Sequence, residues 1–221
     1  MRIALLGGTG DIGEGLALRW AFHSDHEVVI GSRDPDRARA KAKEYETELD
    51  SRGRDRTING FINSMAADRA DVIVLSVPAH YVTDTIEAVA DKIGDAILVS
   101  PAVGMTRDEA GLHYNPPPAG SVTAYAAEAA PPDVPVIGAF HNLSADRLAN
   151  LDVELDLDTL LVGDDDDAKA TVKLLAQAID GIRPLNAGGI ANAPEVESIT
   201  PLVINIARHN PGMHDVGVRF K

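Results

Sequence analysis

Residues 1–19 read MRIALLGGTGDIGEGLALR, and the fold follows from how that stretch divides. Arg2–Leu6 is apolar without a polar interruption, the pattern of a strand buried on both faces of a parallel sheet. Glycines then crowd in, with Gly8, Gly10 and Gly13 in G-x-G-x-x-G spacing, Gly7 just before and Gly15 just after. Beyond them Ile12, Leu16, Leu18 and Trp20 recur through a segment that reads as a helix. A glycine turn between a buried strand and a helix is the context in which this spacing has physical meaning. Gly8 permits the tight turn, Gly10 lets the backbone approach a pyrophosphate, and Gly13 lets the helix pack closely on the strand. The free N–H groups of the helix N-terminus then face the anion.

The next strand, 28–30, carries the discriminator at its end. An enzyme for unphosphorylated dinucleotide usually has an acid here, about 20 residues beyond the last glycine, to accept from the ribose 2′-hydroxyl. This chain has Gly31, Ser32 and Arg33, with Arg37 one helical turn on. A hydroxyl and two guanidinium groups suit a 2′-phosphate instead, through charge-assisted bonds from a planar fork. The expected cofactor is therefore NADP. Asp34 is the adjacent acid, but its place before Pro35 predicts that it caps the following helix.

Outward from there the chain alternates. A helix is expected through RARAKAKEYETEL until the polar stretch 50–55, a strand over 71–77, a helix over 82–92 and a strand over 96–100. Strand-helix alternation of this kind predicts an α/β protein, a Rossmann-type doubly wound parallel sheet. Residues 105–135 hold six of the thirteen prolines, in NPPPAG and APPDVP, and read as a loop around one short helix. A strand returns over 134–140. DTLLVG is strand-like, and helices are expected over 167–179 and 196–209. The reading is an NADP-binding domain over 1–150 and a smaller C-terminal α/β region over 151–221.

Composition narrows the function classes. The 221 residues are 45% hydrophobic, an ordinary globular value. There is no cysteine, which excludes disulfides, thiolate nucleophiles and thiolate metal sites. Asp plus Glu number 34 against 20 Lys plus Arg, a formal net charge of −14. Such a field argues against nucleic acid, whose backbone needs basic patches. The acids are spread along the chain, Asp is about twice as common as Glu, and only six of the basic residues are Lys. This reads as a halophile's surface, hydrated where salt screens the self-repulsion. No apolar run approaches the roughly 18–20 residues of a membrane span. The apolar start is shorter than the roughly 7–15-residue core of a signal peptide. A cytoplasmic protein is expected, with small-molecule partners and assembly as a homo-oligomer, in the simplest case a dimer.

Longer motifs carry a resemblance. The opening 19 residues, GSR after the second strand, SVP and VSP at the later strand ends, ADRLANLD, VGDDDDAK, GIRPLNAGGIANAPEVESITPLVINIAR and the closing GVRF together resemble the archaeal NADPH-dependent reductases of coenzyme F420, a deazaflavin hydride carrier. The match covers nearly the whole chain except 105–135. It implies a nicotinamide held by the Rossmann half with a deazaflavin packed over it from the C-terminal side. By position, Thr9, Gly10, Asp11 and Ile12 would contact the pyrophosphate, and Ser32, Arg33 and Arg37 the 2′-phosphate. Val77, Ala79 and Val103 would line the nicotinamide end and Ala145 would touch NADP, while His141 and Val216 would face the deazaflavin. The chain departs from the family pattern at Ala79, where the family can carry an aromatic residue, and in NLSA after His141, where it has TIPA. Arg183 and Arg208 are candidates to oppose the acidic tail of coenzyme F420.

Hydride transfer between two bound carriers needs orientation and exclusion of water rather than a protein acid or base, so no catalytic side chain is assigned. Asp164, Asp165, Asp166 and Asp167 precede a helix and suit the positive end of its dipole better than a metal. The histidines lack ligand spacing, and Ser76 and Ser100 lack a nucleophile elbow. Two rival readings share the N-terminal half. One is an NADP-dependent reductase of another acceptor, such as an imine, a flavin or ferric iron. The other is a non-catalytic NADP sensor, which the retained SITPLVINIAR disfavours.

Overall fold

The structure, a computed structural model, describes residues 1–214 and 216–221. The chain opens with β1 (Arg2–Leu6), α1 (Asp11–His23), β2 (Glu27–Ser32) and α2 (Pro35–Ser51). It continues with β3 (Asn59–Ile62), α3 (Asn63–Ala67), β4 (Val72–Leu75), α4 (Val82–Glu87) and β5 (Ile97–Ser100). A hairpin of β6 (Met105–Arg107) and β7 (Leu112–Tyr114) follows, then α5 (Val122–Ala129), β8 (Val136–Gly138) and α6 (Ala145–Ala149). The last part is β9 (Leu157–Leu161), α7 (Asp166–Gln177), β10 (Ile182–Asn186) and α8 (Ala193–His209).

Six strands form one parallel sheet in the order β3-β2-β1-β4-β5-β8. The order reverses direction between β1 and β4, and ligands of open α/β sheets bind at the carboxyl ends of the strands beside such a switch. Alternation across β1 explains its unbroken hydrophobicity. Ile3 and Leu5 pack with Leu16 and Trp20 of α1 and Tyr45 and Leu49 of α2, whereas Ala4 and Leu6 pack on the other face with Ala66, Val82, Ile86 and Val122. The layer under α1 runs on without a break into Leu157, Val172, Leu175 and Ile179 of the last third. There Trp20 donates its indole N–H to the Leu175 carbonyl at 2.9 Å and meets Phe140 edge-on at 5.7 Å.

Four expectations need correction. Residues 105–135 are not simply loop around a helix, because Asp108 Oδ1 accepts from Ala110 N and Gly111 N and turns the chain into the β6–β7 hairpin. The helix expected over 82–92 stops at Glu87, and after Val89 leaves helical geometry at φ −125° it becomes a 3-10 turn over Ala90–Lys92. The last helix begins at Ala193, earlier than 196, since Pro194 falls in its first turn, where no N–H is needed. Finally β3 and β10 were not anticipated. β3 is short and opens on Asn-Gly, a turn signal, and β10 carries Pro184, which only an edge strand admits.

Gly13 governs how α1 meets β1. A Cβ there would lie 2.6 Å from the Gly8 Cα, backbone against backbone, with nothing flexible to yield. Gly13→Ala is expected to cost about 1–3 kcal/mol by overpacking. In thermal unfolding this should appear as a midpoint lowered by roughly 2–12 °C for a domain of this size. An unchanged midpoint would show that the loop has slack.

Candidate functional site

Two hollows open at the carboxyl ends of the sheet strands. The first, of about 610 Å³, is bordered by Gly7, Thr9 and Gly10 after β1, Ser32, Arg33 and Arg37 at β2 and α2, and Val77 after β4. The second, of about 300 Å³, lies beyond β8 and is bordered by His141, Asn142, Ala145, Thr200, Val203 and Val216. Of the thirteen residues singled out in the sequence, six thus share the first hollow and three the second.

α1 begins without a side-chain cap, the geometry the sequence reading requires of an anion-binding helix start. Its N-cap is Gly10, which has no side chain to cap the helix. By contrast α2, α5 and α7 are closed by Asp34, Ser121 and Asp165. The first N–H groups of α1, those of Asp11, Ile12 and Gly13, are therefore left for another acceptor. A Cβ on Gly10 would meet no protein atom closer than 3.5 Å, so its bare Cα fronts open space that a pyrophosphate can enter. Asp11 and Ile12 stand at this helix start. Asp11 is exposed and Ile12 half-buried, neither side chain borders the hollow, and what they offer is backbone.

The end of β2 brings Ser32, Arg33 and Arg37 to the same hollow. Asp34 accepts from Asp36 N at 2.9 Å and Arg37 N at 3.3 Å, so the adjacent acid is committed to its helix as expected. Ser32 Oγ accepts from Asp34 N at 3.2 Å and keeps its own proton to donate. Neither Arg33 nor Arg37 has an ion-pair partner among the described residues. The Arg33 guanidinium lies over the Tyr81 ring at 5.2 Å, which makes a flat cation–aromatic wall beside the phosphate position. Tyr81, Asn63, Asp84 and Thr85 border this hollow and were not found from sequence. Asn63 follows a strand too short to recognise, and Tyr81 lies in a 3-10 turn with no motif. Asn63 Oδ1 is buried without a partner, an acceptor available to a bound ribose or base.

The nicotinamide end is less complete. Val77 borders the first hollow, whereas Ala79 is half-buried against the apolar layer under α4 and Val103 is half-buried in the loop after β5. Neither borders either hollow.

In the second hollow His141 is 4% exposed, and burial alone pushes its imidazole down to about 3, so it is neutral near pH 7. Its Nδ1 has no partner, nor has Oδ1 of Asn142. Asn142 donates its amide N–H to the Asp158 carbonyl at 2.7 Å, which fixes the oxygen as the free end. Val216 is held in place by its neighbours. Asp158 N donates to the Val218 carbonyl, and the buried Asp158 carboxylate accepts from Phe220 N and from the Arg183 and Arg219 guanidiniums. Arg183 holds that carboxyl down at about 2. Arg183, a candidate from sequence to oppose an acidic tail, is bound to Asp158 by two N–H donors at 2.7 and 2.8 Å, which commits one edge of its guanidinium to the protein. Arg208 is exposed on a third hollow beside Ala207, a residue it shares with the second. Asp164 Oδ1 accepts from Ile190 N, and Asp165 caps α7 through Ala168 N.

Comparison with known proteins now bears on this geometry. A family of proteins described as "NADP oxidoreductase coenzyme F420-dependent" matches residues 2–104. The F420-dependent NADP reductase of Methanocaldococcus jannaschii is 37% identical over 208 residues, 93% of this chain and 92% of the relative. That of Methanothermobacter thermautotrophicus is also 37% identical, over 100% of this chain and 94% of its own. The chain belongs to the F420-dependent NADP reductase family. Among solved structures, a protein from Arthrobacter sp. FB24 described as an F420-dependent NADP-reductase superposes with a TM-score of 0.82 at 23% identity, over 100% of this chain and 99% of that one. A pyrroline-5-carboxylate reductase from Coxiella burnetii gives 0.57 at 17% identity, over 83% and 58%. At these identities the two structures bear on the fold, and both agree with the Rossmann-like sheet.

Arg33→Glu should raise the KM for NADPH by roughly 10- to 100-fold, the range for losing a hydrogen bond to a charged group. The KM for NADH should change little. Steady-state kinetics with both nucleotides test this, and equal losses would remove the 2′-phosphate assignment.

Proposed function

We infer that the protein transfers a hydride between NADP(H) and the deazaflavin coenzyme F420. The observation that carries this reading is family membership over the full chain, including the C-terminal third that builds the second hollow. The bound carriers supply the hydride chemistry. The chain's own residues do four things. The uncapped α1 N-terminus takes the pyrophosphate, with Thr9 and Gly10 beside it. Ser32, Arg33 and Arg37 take the 2′-phosphate. Val77 is the apolar contact at the nicotinamide end, with Ala79 and Val103 forming the floor behind it. His141 and Val216 line the deazaflavin position, Ala145 on the same hollow is the contact to NADP, and Val203 adds apolar surface that keeps water out. Residues 151–221 act as the region that closes this acceptor cleft against 1–150. Arg208, rather than Arg183, is the cation placed to meet the acidic tail of coenzyme F420.

No helix of the described residues is long and apolar enough to cross a membrane, and we propose a cytoplasmic setting. The excess of acid, −14 in net charge, supports an interior of concentrated salt, in which screening relieves self-repulsion. The direct test is to mix the purified protein with NADPH and oxidised coenzyme F420 in concentrated KCl and follow the visible absorbance of the deazaflavin. The absorbance should bleach, and faster than in dilute buffer. NADPH binding without bleaching would show that the acceptor is another molecule.

We also propose a homodimer. Leu202 and Ile206 stand one turn apart on α8, 57% and 36% exposed, an apolar face that a second copy would cover. Sedimentation should give a dimer that Leu202→Glu converts to monomer, and a monomeric parent chain would dispose of the idea.

A further inference from the structure

Glu197 is a buried group that the hydride reaction does not use. It is fully buried in the second turn of α8, and no cation pairs with it among the described residues. A buried carboxylate in that position survives only if hydrogen bonds replace its water. Here four donors do so. Oε1 accepts from Thr123 N and Thr123 Oγ1, both at 2.9 Å. Oε2 accepts from Val122 N at 2.9 Å and lies 3.1 Å from the Tyr114 hydroxyl. Burial holds the carboxyl above its ordinary value, and these four donors offset only part of that rise. The acceptor positions of the carboxylate are thus taken by donors from the hairpin and α5, the segment 105–135 that no sequence motif explained.

The consequence passes through Thr123. Its hydroxyl has one proton, and that proton is given to Glu197. The same oxygen lies 3.4 Å from His141 Nε2, and it has only lone pairs left to offer that nitrogen. Nε2 must then carry the ring proton, because two facing lone pairs would repel. Gly138 is what lets the two groups meet. A Cβ there would lie 2.6 Å from Thr123 Oγ1 and 2.9 Å from His141 Cε1. With the ring neutral and Nε2 protonated, Nδ1 bears a lone pair, and it is the buried atom that finds no partner. Asn142 Oδ1, next in the chain and on the same hollow, is likewise an unpartnered acceptor.

We propose that Glu197 is a positioning residue which, through Thr123, fixes His141 as its Nε2–H tautomer, and so leaves two buried acceptors, His141 Nδ1 and Asn142 Oδ1, in side chains that border the second hollow. Such a pair selects a ligand edge that donates, such as a ring imide N–H, and disfavours one that only accepts. The tautomer concerns the free protein, while its bearing on coenzyme F420 rests on the function proposed above.

Long-range proton–nitrogen spectra of the 15N-labelled free protein read the tautomer directly. The expected result is a neutral His141 ring protonated at Nε2, and an Nδ1–H ring or an imidazolium at neutral pH overturns the proposal. Thr123→Val removes the hydroxyl and keeps the shape. It should abolish the Nε2–H preference and raise the KM for coenzyme F420 roughly tenfold, the scale of one buried hydrogen bond, with the KM for NADPH unchanged. Thr123→Ser should restore both. A valine variant with the parent's tautomer and KM, or a serine variant as impaired as valine, overturns the relay. A parent protein that shows the Nε2–H ring yet reduces no coenzyme F420 refutes the assigned acceptor and leaves the relay standing.

Discussion

The N-terminus of α1 is bare, and much of the molecule is arranged around keeping it so. A helix start inside a protein normally finds a side-chain cap, because its first N–H groups have no partner along the helix. α2, α5 and α7 obey that rule through Asp34, Ser121 and Asp165. α1 does not, and its Gly10 N-cap leaves partial positive charge facing the hollow at the sheet edge. The arrangement holds because α1 is fixed elsewhere. Gly13 lies against Gly8, Trp20 is bonded to α7, and the buried Arg19 guanidinium donates to the carbonyls of Arg147, Leu148, Asn150 and Val153 around the end of α6. The helix is held at its sides and far end, so its near end can be spent on a ligand.

The two most heavily hydrogen-bonded carboxylates of the C-terminal third do comparable work for the other hollow. Asp158 gathers Arg183, Arg219 and the Phe220 N–H, and so holds the closing residues against β9 and places Val216. Glu197 gathers the start of α5 and the tip of β7. Both are 0% exposed in a chain whose other acids mostly face water, and each joins segments far apart in sequence. An acidic protein that must stay hydrated still needs carboxylates inside where chain segments have to be joined without apolar bulk, and there each is matched by donors rather than left to repel.

What was legible in the sequence follows from how local its causes are. β1, the glycine turn, the Asp34 cap and the Ser32–Arg33–Arg37 group are each set by a few adjacent residues, and the structure places them as read. β3, the β6–β7 hairpin and β10 form only because a neighbouring strand or the Asp108 turn supplies what their short sequences lack. Tyr81 and Asn63 reach the cofactor hollow through sheet order, which no spacing encodes. The pairing of Arg183 went unseen for the same reason. Its partner Asp158 is 25 residues away and adjacent only because β9 and β10 pair in parallel. Glu197 was passed over inside the matched stretch EVESITPLVINIAR, since nothing in that stretch shows that α5 starts against it.

The orphaned polar atoms finally connect the two halves. Leaving a buried donor or acceptor unpaired costs about 1–3 kcal/mol, and a fold selected for stability alone would remove such atoms. Asn63 Oδ1, Ser100 Oγ, His141 Nδ1 and Asn142 Oδ1 are all buried and unpaired, and all lie at the carboxyl edge of the sheet, after β3, at the end of β5 and after β8. Water or ligand must complete them. Because His141 stays neutral and its far nitrogen is engaged by Thr123, the unpaired atom near β8 is an acceptor at every pH near neutrality, and its chemistry does not drift with conditions. The edge therefore presents an electropositive helix end and two arginines on one side and neutral acceptors on the other. This polarity matches the placement proposed above, with a phosphorylated dinucleotide on the first side and an uncharged ring edge bearing N–H on the second.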